Sequence, residues 1–208
     1  MGGTFNPIHL GHLRGAEEIR EAFDLEKVIF IPASVPPHKG MDRLMDASHR
    51  LEMVRLALRS NPAFSISDIE LKRSGKSYSV DTIRHFKDLH PGPLFFILGE
   101  DAFFEIEAWR EFKDLFSLCH FVVMSRPGFQ KAGHTLELPE SLVPFFRREA
   151  GGRWTHISGH CLYLQEITLL DISSTRIRER IKRGNSVKYL LPAEVEAYIE
   201  GNGLYRKN

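Results

Sequence analysis

At 208 residues and 42% hydrophobic, the chain is long enough to bury one sizeable core, and the expectation is a single domain over residues 1–208. A net charge of +1 argues against a nucleic-acid coat or a polybasic membrane anchor, so any phosphate-binding charge must be local. No apolar run approaches the ~20 residues that span a bilayer, no signal peptide precedes the first motif, and two distant cysteines, Cys119 and Cys161, make no disulfide framework; the expectation is a cytoplasmic protein.

The chain opens MGGTFNPIHLGHLRGAEE. Gly2 and Gly3 lack Cβ, so the backbone there can turn with positive φ and approach a ligand closely. From about Leu10 the apolar residues Leu10, Leu13, Ala16, Ile19 and Phe23 recur at helical spacing, with Arg14, Glu17, Glu18 and Arg20 opposite. The loop therefore ends at a helix N-terminus, where free N–H groups and the positive end of the macrodipole favour an anion. His9 and His12 project near that end, and Gly11 between them admits a ligand to the backbone. Taken alone, the pair also fits one solvated and one core histidine. A metal shared by His at i and i+3 needs further ligands, and none is well placed nearby, so no metal site is assigned.

Further along, VIFIPA (Val28 to Ala33), FSISDI (Phe64 to Ile69), LFFILG (Leu94 to Gly99), HFVVMS (His120 to Ser125) and CLYLQEI (Cys161 to Ile167) read as strands. HRLEMVRLAL, SVDTIRHFKDL and WREFKDLFSL between them read as helices. This alternation predicts an α/β fold, a Rossmann-like doubly wound parallel sheet with helices on both faces and ligands at the carboxyl ends of the strands. SVPPHKG puts Lys39 on a loop at such an end, stiffened by Pro36 and Pro37. The stretch from Arg126 to Gly152, with Pro, Gly and the basic pair Arg147 and Arg148, reads as a solvated surface loop, with a mobile lid as the sharper alternative. Two C-terminal helices follow from about residue 173, ISSTRIRERIKRG and LPAEVEAYIEGNGLY. In the first, Ser173 and Ser174 stand where an N-cap belongs, with Arg176 in the first turn. A cation is disfavoured there, and a bound anion would remove the conflict.

In this order, GGTFNPIHLGH, PPHK, GKSYSVDTI, LGEDAFFEIEAW, SRPG and ISSTRIR resemble the bacterial nicotinate-nucleotide adenylyltransferases, members of the nucleotidyltransferase superfamily with the histidine-x-glycine-histidine type motif. The likeness spans Gly2 to about Arg178. It implies that Gly3, Thr4 and Phe5 lie along the nucleotide, that His9 and His12 contact the triphosphate of ATP, and that Lys39 reaches toward the phosphates. It further implies that Gly99 and Asp101 hold adenosine, that Arg126, Ile172, Ser173, Ser174 and Arg176 complete the adenine and triphosphate site, and that Thr82 and the backbone beside Trp109 receive nicotinate under the indole. Asn6, Ser79 and Arg110 are assigned with Lys39, Thr82 and Trp109 to the mononucleotide. Two positions depart from the commonest pattern: Ser79 stands where threonine is frequent, and Asn6 where aspartate is the other common choice, which puts in doubt any essential negative charge at position 6. Outside this context Trp109 reads as a core residue and Asp101 as a helix cap.

The reaction implied is attack by the 5′-phosphate of nicotinate mononucleotide on the α-phosphorus of ATP, with pyrophosphate leaving in line. The attacking oxygen is already anionic and needs no general base, so His9, His12, Lys39 and Arg176 serve by positioning and charge stabilisation. Mg²⁺ is expected on the ATP phosphates and water, since no carboxylate cluster offers it a cage. An assembly of identical chains is compatible with all of this. The alternatives are a phosphopantetheine or other nucleotidyltransferase of the same superfamily, or a nucleotide-binding module without catalysis. One further expectation concerns Met1. A phosphate loop of this kind follows a buried strand, GGTF has only Met1 before it, and the strands from Val28 to Ser125 would leave a gap at the sheet centre; the natural chain is therefore expected to begin roughly half a dozen residues upstream, unless another segment fills the slot.

Overall fold

A computed structural model describes residues 1–34, 44–73, 75–125, 137–149 and 153–206, and these form two compact units. The first comprises Met1 and residues 3–77 and 169–208, and the second comprises Gly2 and residues 78–168.

In the first unit Met1 and Gly3 lie beside a buried strand. β1 (Gly2–Gly3) neighbours β2 (Val28–Pro32), which pairs in parallel with β3 (Phe64–Ile66) through Val28↔Phe64 and Phe30↔Ile66. The N–H of Ile31 donates to the Met1 carbonyl at 3.0 Å and that of Ala33 to the Gly3 carbonyl at 2.9 Å, so the strand carries the chain directly into the phosphate turn. Helix α1 (Leu10–Ala22) follows with Ala16 and Ile19 fully buried, as the 3.6-residue period requires. Helix α2 (Ala47–Ala57) buries Met53 and Val54, and α3 is the single turn Ile69–Lys72. The two C-terminal helices, named α7 and α8 in chain order, span Ser174–Lys182 and Ala193–Gly201; α8 packs on α2, where His49 Nδ1 and the Tyr198 hydroxyl lie 2.8 Å apart.

In the second unit α4 (Ser79–Leu89) precedes β4 (Phe95–Gly99), which runs straight into α5 (Glu100–Phe104). Helix α6 (Phe112–Leu118) leads to β5 (His120–Ser125), and β4, β5 and β8 (Cys161–Glu166) pair in parallel. Phe121, Val122 and Val123 are all 0% exposed, the continuous apolar run of a strand covered on both faces. The core beneath gathers Val80, Ile83, Phe103, Ile106, Leu115 and Phe116.

The parallel α/β sheet is as expected, with one addition and two corrections: β6 (Phe146–Arg148) and β7 (Trp154–His156) extend it beyond β8 as an antiparallel meander. Residues 137–149, the described part of the stretch read as a surface loop from Arg126 to Gly152, are therefore not loop alone. Within them Leu138 and Leu142 enter the core, a 3₁₀ turn spans Val143–Phe145, and Phe146–Arg148 is a strand whose basic pair faces outward. The helix read from Trp109 begins only at Phe112. Trp109 closes a 3₁₀ turn (Ile106–Ala108) with extended backbone, and Glu111 at φ 52 breaks the helical path before α6. Among the described residues no helix is long and apolar enough to cross a membrane.

Candidate active site

Phe5 in the phosphate turn, 2% exposed, takes φ 46, a strained left-handed state uncommon for a bulky residue. Gly3 is obligatory for a nearer reason: a Cβ there would fall 2.7 Å from the Phe5 ring. His9 is the N-cap of α1 and 2% exposed, while His12 is half-buried. Their rings stack at 3.6 Å, and the edge of the Phe5–His12 pair closes the other side at 5.2 Å. His12 Nδ1 accepts from the His9 N–H at 3.2 Å, which leaves Nε2 as the protonated, donating nitrogen of the ring. No acidic residue occupies the first turn of α1, so nothing there repels an anion. A Cβ at Gly11 would meet His9 Nδ1 at 3.1 Å, so the glycine keeps the histidine pair uncrowded.

The turn is clamped from the far part of the chain. Tyr205 donates its hydroxyl to Asn6 Oδ1 at 2.7 Å, Arg178 donates to the Asn6 carbonyl at 2.6 Å, and the Ser174 hydroxyl donates to the Pro7 carbonyl at 2.8 Å. Burial pushes the Tyr205 phenol well above its ordinary pKa, which keeps it a donor. Asn6, 6% exposed, thus serves as an anchor of the turn, and Ser174 binds backbone while Ser173 is the N-cap, accepting from the Arg176 N–H at 3.2 Å. Arg176, exposed at the start of α7, pairs with Asp171 at 2.6 Å, a carboxylate that offsets the cation in the first turn of the helix. Ile172, beside them, is half-buried.

In the second unit Gly99 ends β4 and caps α5 with extended backbone, and Asp101 stands exposed in the first turn. A Cβ at Gly99 would lie 2.5 Å from Asp101 Oδ1, so the glycine and the carboxylate share one space. Trp109 is half-buried and packs edge-to-face on Phe96 at 6.0 Å. Arg110 lies over the Tyr78 ring at 4.9 Å and beside Glu111 at 3.2 Å. Ser79 opens α4 half-exposed, whereas Thr82 is turned inward at 2% exposure. Lys39 and Arg126 lie outside the described residues.

Sequence reasoning missed Arg50. It is 0% exposed, and its guanidinium donates to the carbonyls of Thr4 at 2.9 Å, Ala33 at 2.7 Å, Ser34 at 2.9 Å and Met45 at 2.9 Å. An arginine on an amphipathic helix ordinarily reads as solvated, and backbone acceptors leave no trace in residue types.

Residues 1–180 match the family model of cytidylyltransferase-like proteins. A protein of Geotalea daltonii described as a probable nicotinate-nucleotide adenylyltransferase is 48% identical over 99% of this chain and 96% of its own length. One of Desulfitobacterium hafniense with the same description is 45% identical over 99% of this chain and 94% of its own. Among solved structures, Plasmodium falciparum nicotinic acid mononucleotide adenylyltransferase complexed with NaAD superposes with a TM-score of 0.73 at 22% identity, covering 98% of this chain and 94% of that one, a likeness of fold.

Proposed function

We infer that this chain, which belongs to the nicotinate-nucleotide adenylyltransferases, transfers the adenylyl group of ATP to nicotinate mononucleotide, forming nicotinate adenine dinucleotide and pyrophosphate. Among the features of the site, the stacked His9–His12 pair at the mouth of α1 carries this reading furthest. The tautomer imposed on His12 leaves a donor for a phosphate oxygen, and the adjacent helix end adds its own N–H groups and positive potential.

The reaction asks little more of the protein. A mononucleotide 5′-phosphate oxygen attacks the α-phosphorus, the bond to the bridging oxygen breaks, and pyrophosphate departs with the electron pair. The nucleophile is already charged, so no side chain needs to remove a proton, and His9, His12, Lys39 and Arg176 act as orienting donors to oxygens that gain charge. Gly3, Thr4 and Phe5 lie along the nucleotide, Gly99 and Asp101 take the adenosine, and Arg126, Ile172, Ser173 and Ser174 complete the ATP site. Binding of triphosphate draws Arg176 from Asp171, an exchange of one anion for another. Ser79, Arg110 and Trp109 serve the mononucleotide together with the backbone around Thr82, whose side chain is buried. Mg²⁺ would be carried by the triphosphate oxygens and water, where it would neutralise phosphate charge. Two free cysteines, one of them buried, support a reducing, cytoplasmic setting.

The test is pyrophosphate release from ATP with nicotinate mononucleotide, nicotinamide mononucleotide and phosphopantetheine offered separately. Nicotinate mononucleotide is expected to be turned over with the highest kcat/KM, because a donor aimed at a carboxylate makes a charge-assisted bond that an amide NH₂ cannot. Release with phosphopantetheine alone would overturn the reading.

A further inference from the structure

Burying a charge is costly unless it is paired and hydrogen-bonded, and an apolar side chain of similar volume would fill the same space without that cost. Arg50 is 0% exposed, and among the described residues its guanidinium bonds to no carboxylate, the charge of Asp46 at the N-cap of α2 attracting it only through space. Burial pushes its pKa down from the ordinary value, yet a guanidinium stays charged in any protein setting. The charge is met instead by four backbone carbonyls from three separate stretches: Thr4 in the phosphate turn, Ala33 and Ser34 at the carboxyl end of β2, and Met45 just before α2.

These acceptors decide where neighbouring N–H groups point. In a trans peptide the carbonyl and the following N–H face opposite ways, so holding the Thr4 oxygen toward Arg50 aims the Phe5 N–H away from it. Phe5 has φ 46, and a bulky residue keeps such a backbone state only where its surroundings over-determine it. The bond from Arg50 to the preceding carbonyl is one such constraint. The bonds to Ala33 and Ser34 hold the strand end next to the turn in the same register, where the Ser34 N–H is also fixed by the Ser77 hydroxyl at 3.0 Å.

We propose that Arg50 is a positioning residue for adenylyl transfer: its buried guanidinium locks the peptide groups of the Thr4–Phe5 turn to the end of β2, so that the turn's N–H groups are aimed before the nucleotide arrives. The inference rests on the adenylyl-transfer reading above, and it assigns the arginine no contact with substrate.

The full chain carrying Arg50→Lys or Arg50→Met tests it, with steady-state kinetics for ATP and nicotinate mononucleotide and circular dichroism at the assay temperature to fix the folded fraction. Displacing reacting groups by about an ångström costs on the order of 10²-fold in rate. Arg50→Met is therefore expected to lose about that much kcat per folded molecule, with the KM for the mononucleotide changed by less than about threefold. Arg50→Lys is expected to recover part of the loss, since an ammonium keeps the charge and three donors but not the planar fork. A kcat per folded molecule within twofold of the parent in both variants overturns the proposal. So does a loss that vanishes on cooling as the folded fraction returns, and so does failure of both variants to fold down to 4 °C, which would leave Arg50 a fold residue only. The parent chain, assayed alongside, tests the reaction itself: absence of pyrophosphate release there defeats the proposed function, whereas only the ratio of variant to parent bears on Arg50.

Discussion

Tyr205 hydrogen-bonds through its hydroxyl to the Asn6 side-chain oxygen at 2.7 Å, joining buried groups 199 residues apart in the chain. The bond is one of several that fasten the phosphate turn to α7 and to the segment after α8. Removing one partner of a buried hydrogen bond typically costs about 1–3 kcal/mol. Tyr205→Phe, which keeps the ring, is therefore expected to lower unfolding free energy by about that amount in urea titrations. Unchanged stability would show that the hydroxyl carries none of the clamp.

The stacked histidines make a kinetic prediction. Loss of one preorganised donor to developing charge costs on the order of 10² to 10³ in rate, so His12→Ala is expected to reduce kcat by that factor, and His9→Ala by somewhat less. Gly11→Ala probes the same pair indirectly. The new methyl would press on the His9 ring at 3.1 Å, while alanine gains up to about 1 kcal/mol of helix propensity. A roughly tenfold lower kcat with stability unchanged or raised is the expected result, read from initial rates and thermal melts.

Gly99 and Asp101 contend for one space. Gly99→Ala is expected to push the Asp101 carboxylate aside, since the Cβ would stand 2.5 Å from Oδ1, and a flexible exposed carboxylate yields more readily than backbone. Hydrogen bonds to charged groups are worth about 1.5–3 kcal/mol, so the KM for ATP is expected to rise on the order of tenfold while the KM for the mononucleotide stays put. Asp101→Asn is expected to behave alike. Equal KM shifts for both substrates would remove Asp101 from the adenosine site.

Acid sensitivity should come from the second unit. His120 Nδ1 accepts from the Cys161 N–H at 3.0 Å, His156 Nδ1 from the Ser158 N–H at 3.2 Å, and the Ser158 hydroxyl bridges His156 and His160 at 2.8 and 3.0 Å. Burial, then the charge of His160, lowers the pKa of His120 and of His156; burial, then Lys87, lowers that of His160. The folded rings stay neutral where the unfolded ones, near about 6.5, take up protons. Stability is therefore full above about pH 6.5 and is lost as pH falls through the window beneath it, until the folded rings protonate as well. Carboxylates held low by arginines, such as Glu149 at about 2, add their loss only at more acid pH. Urea midpoints at pH 8, 7, 6 and 5 check this, and a midpoint that rises on acidification contradicts it.

Much of this architecture was legible from residue order. β5 is observed over His120–Ser125 and α4 over Ser79–Leu89, the spans their apolar periods predict, because both bury strong patterns close to home. The misses have physical causes. Trp109 continues the helical spacing of α6 on paper, but the left-handed backbone at Glu111 resets the phase, a choice that belongs to one φ angle and not to a period. β6 and β7 are three residues each and rich in charge and aromatics, so their strand character arises from pairing with β8. At the site, the histidine pair and the Ser173 cap could be read from their motifs. Asn6 as an anchor and Arg50 as a buried cation could not, since each is defined by a partner far away in sequence or by a backbone oxygen.

The clamps on the phosphate turn also set an order of events during synthesis. Residues 78–168 emerge as one uninterrupted stretch and have all of their own unit's strands as soon as they clear the ribosome. The turn at residues 4–7 is made before them and must wait for Ser174, Arg178 and Tyr205, whose bonds to it span 167 to 199 residues. Until then the turn is held from Arg50 and the end of β2 but lacks its bonds to α7 and to the segment after α8, and elongation of the intervening chain sets a lower limit on that interval.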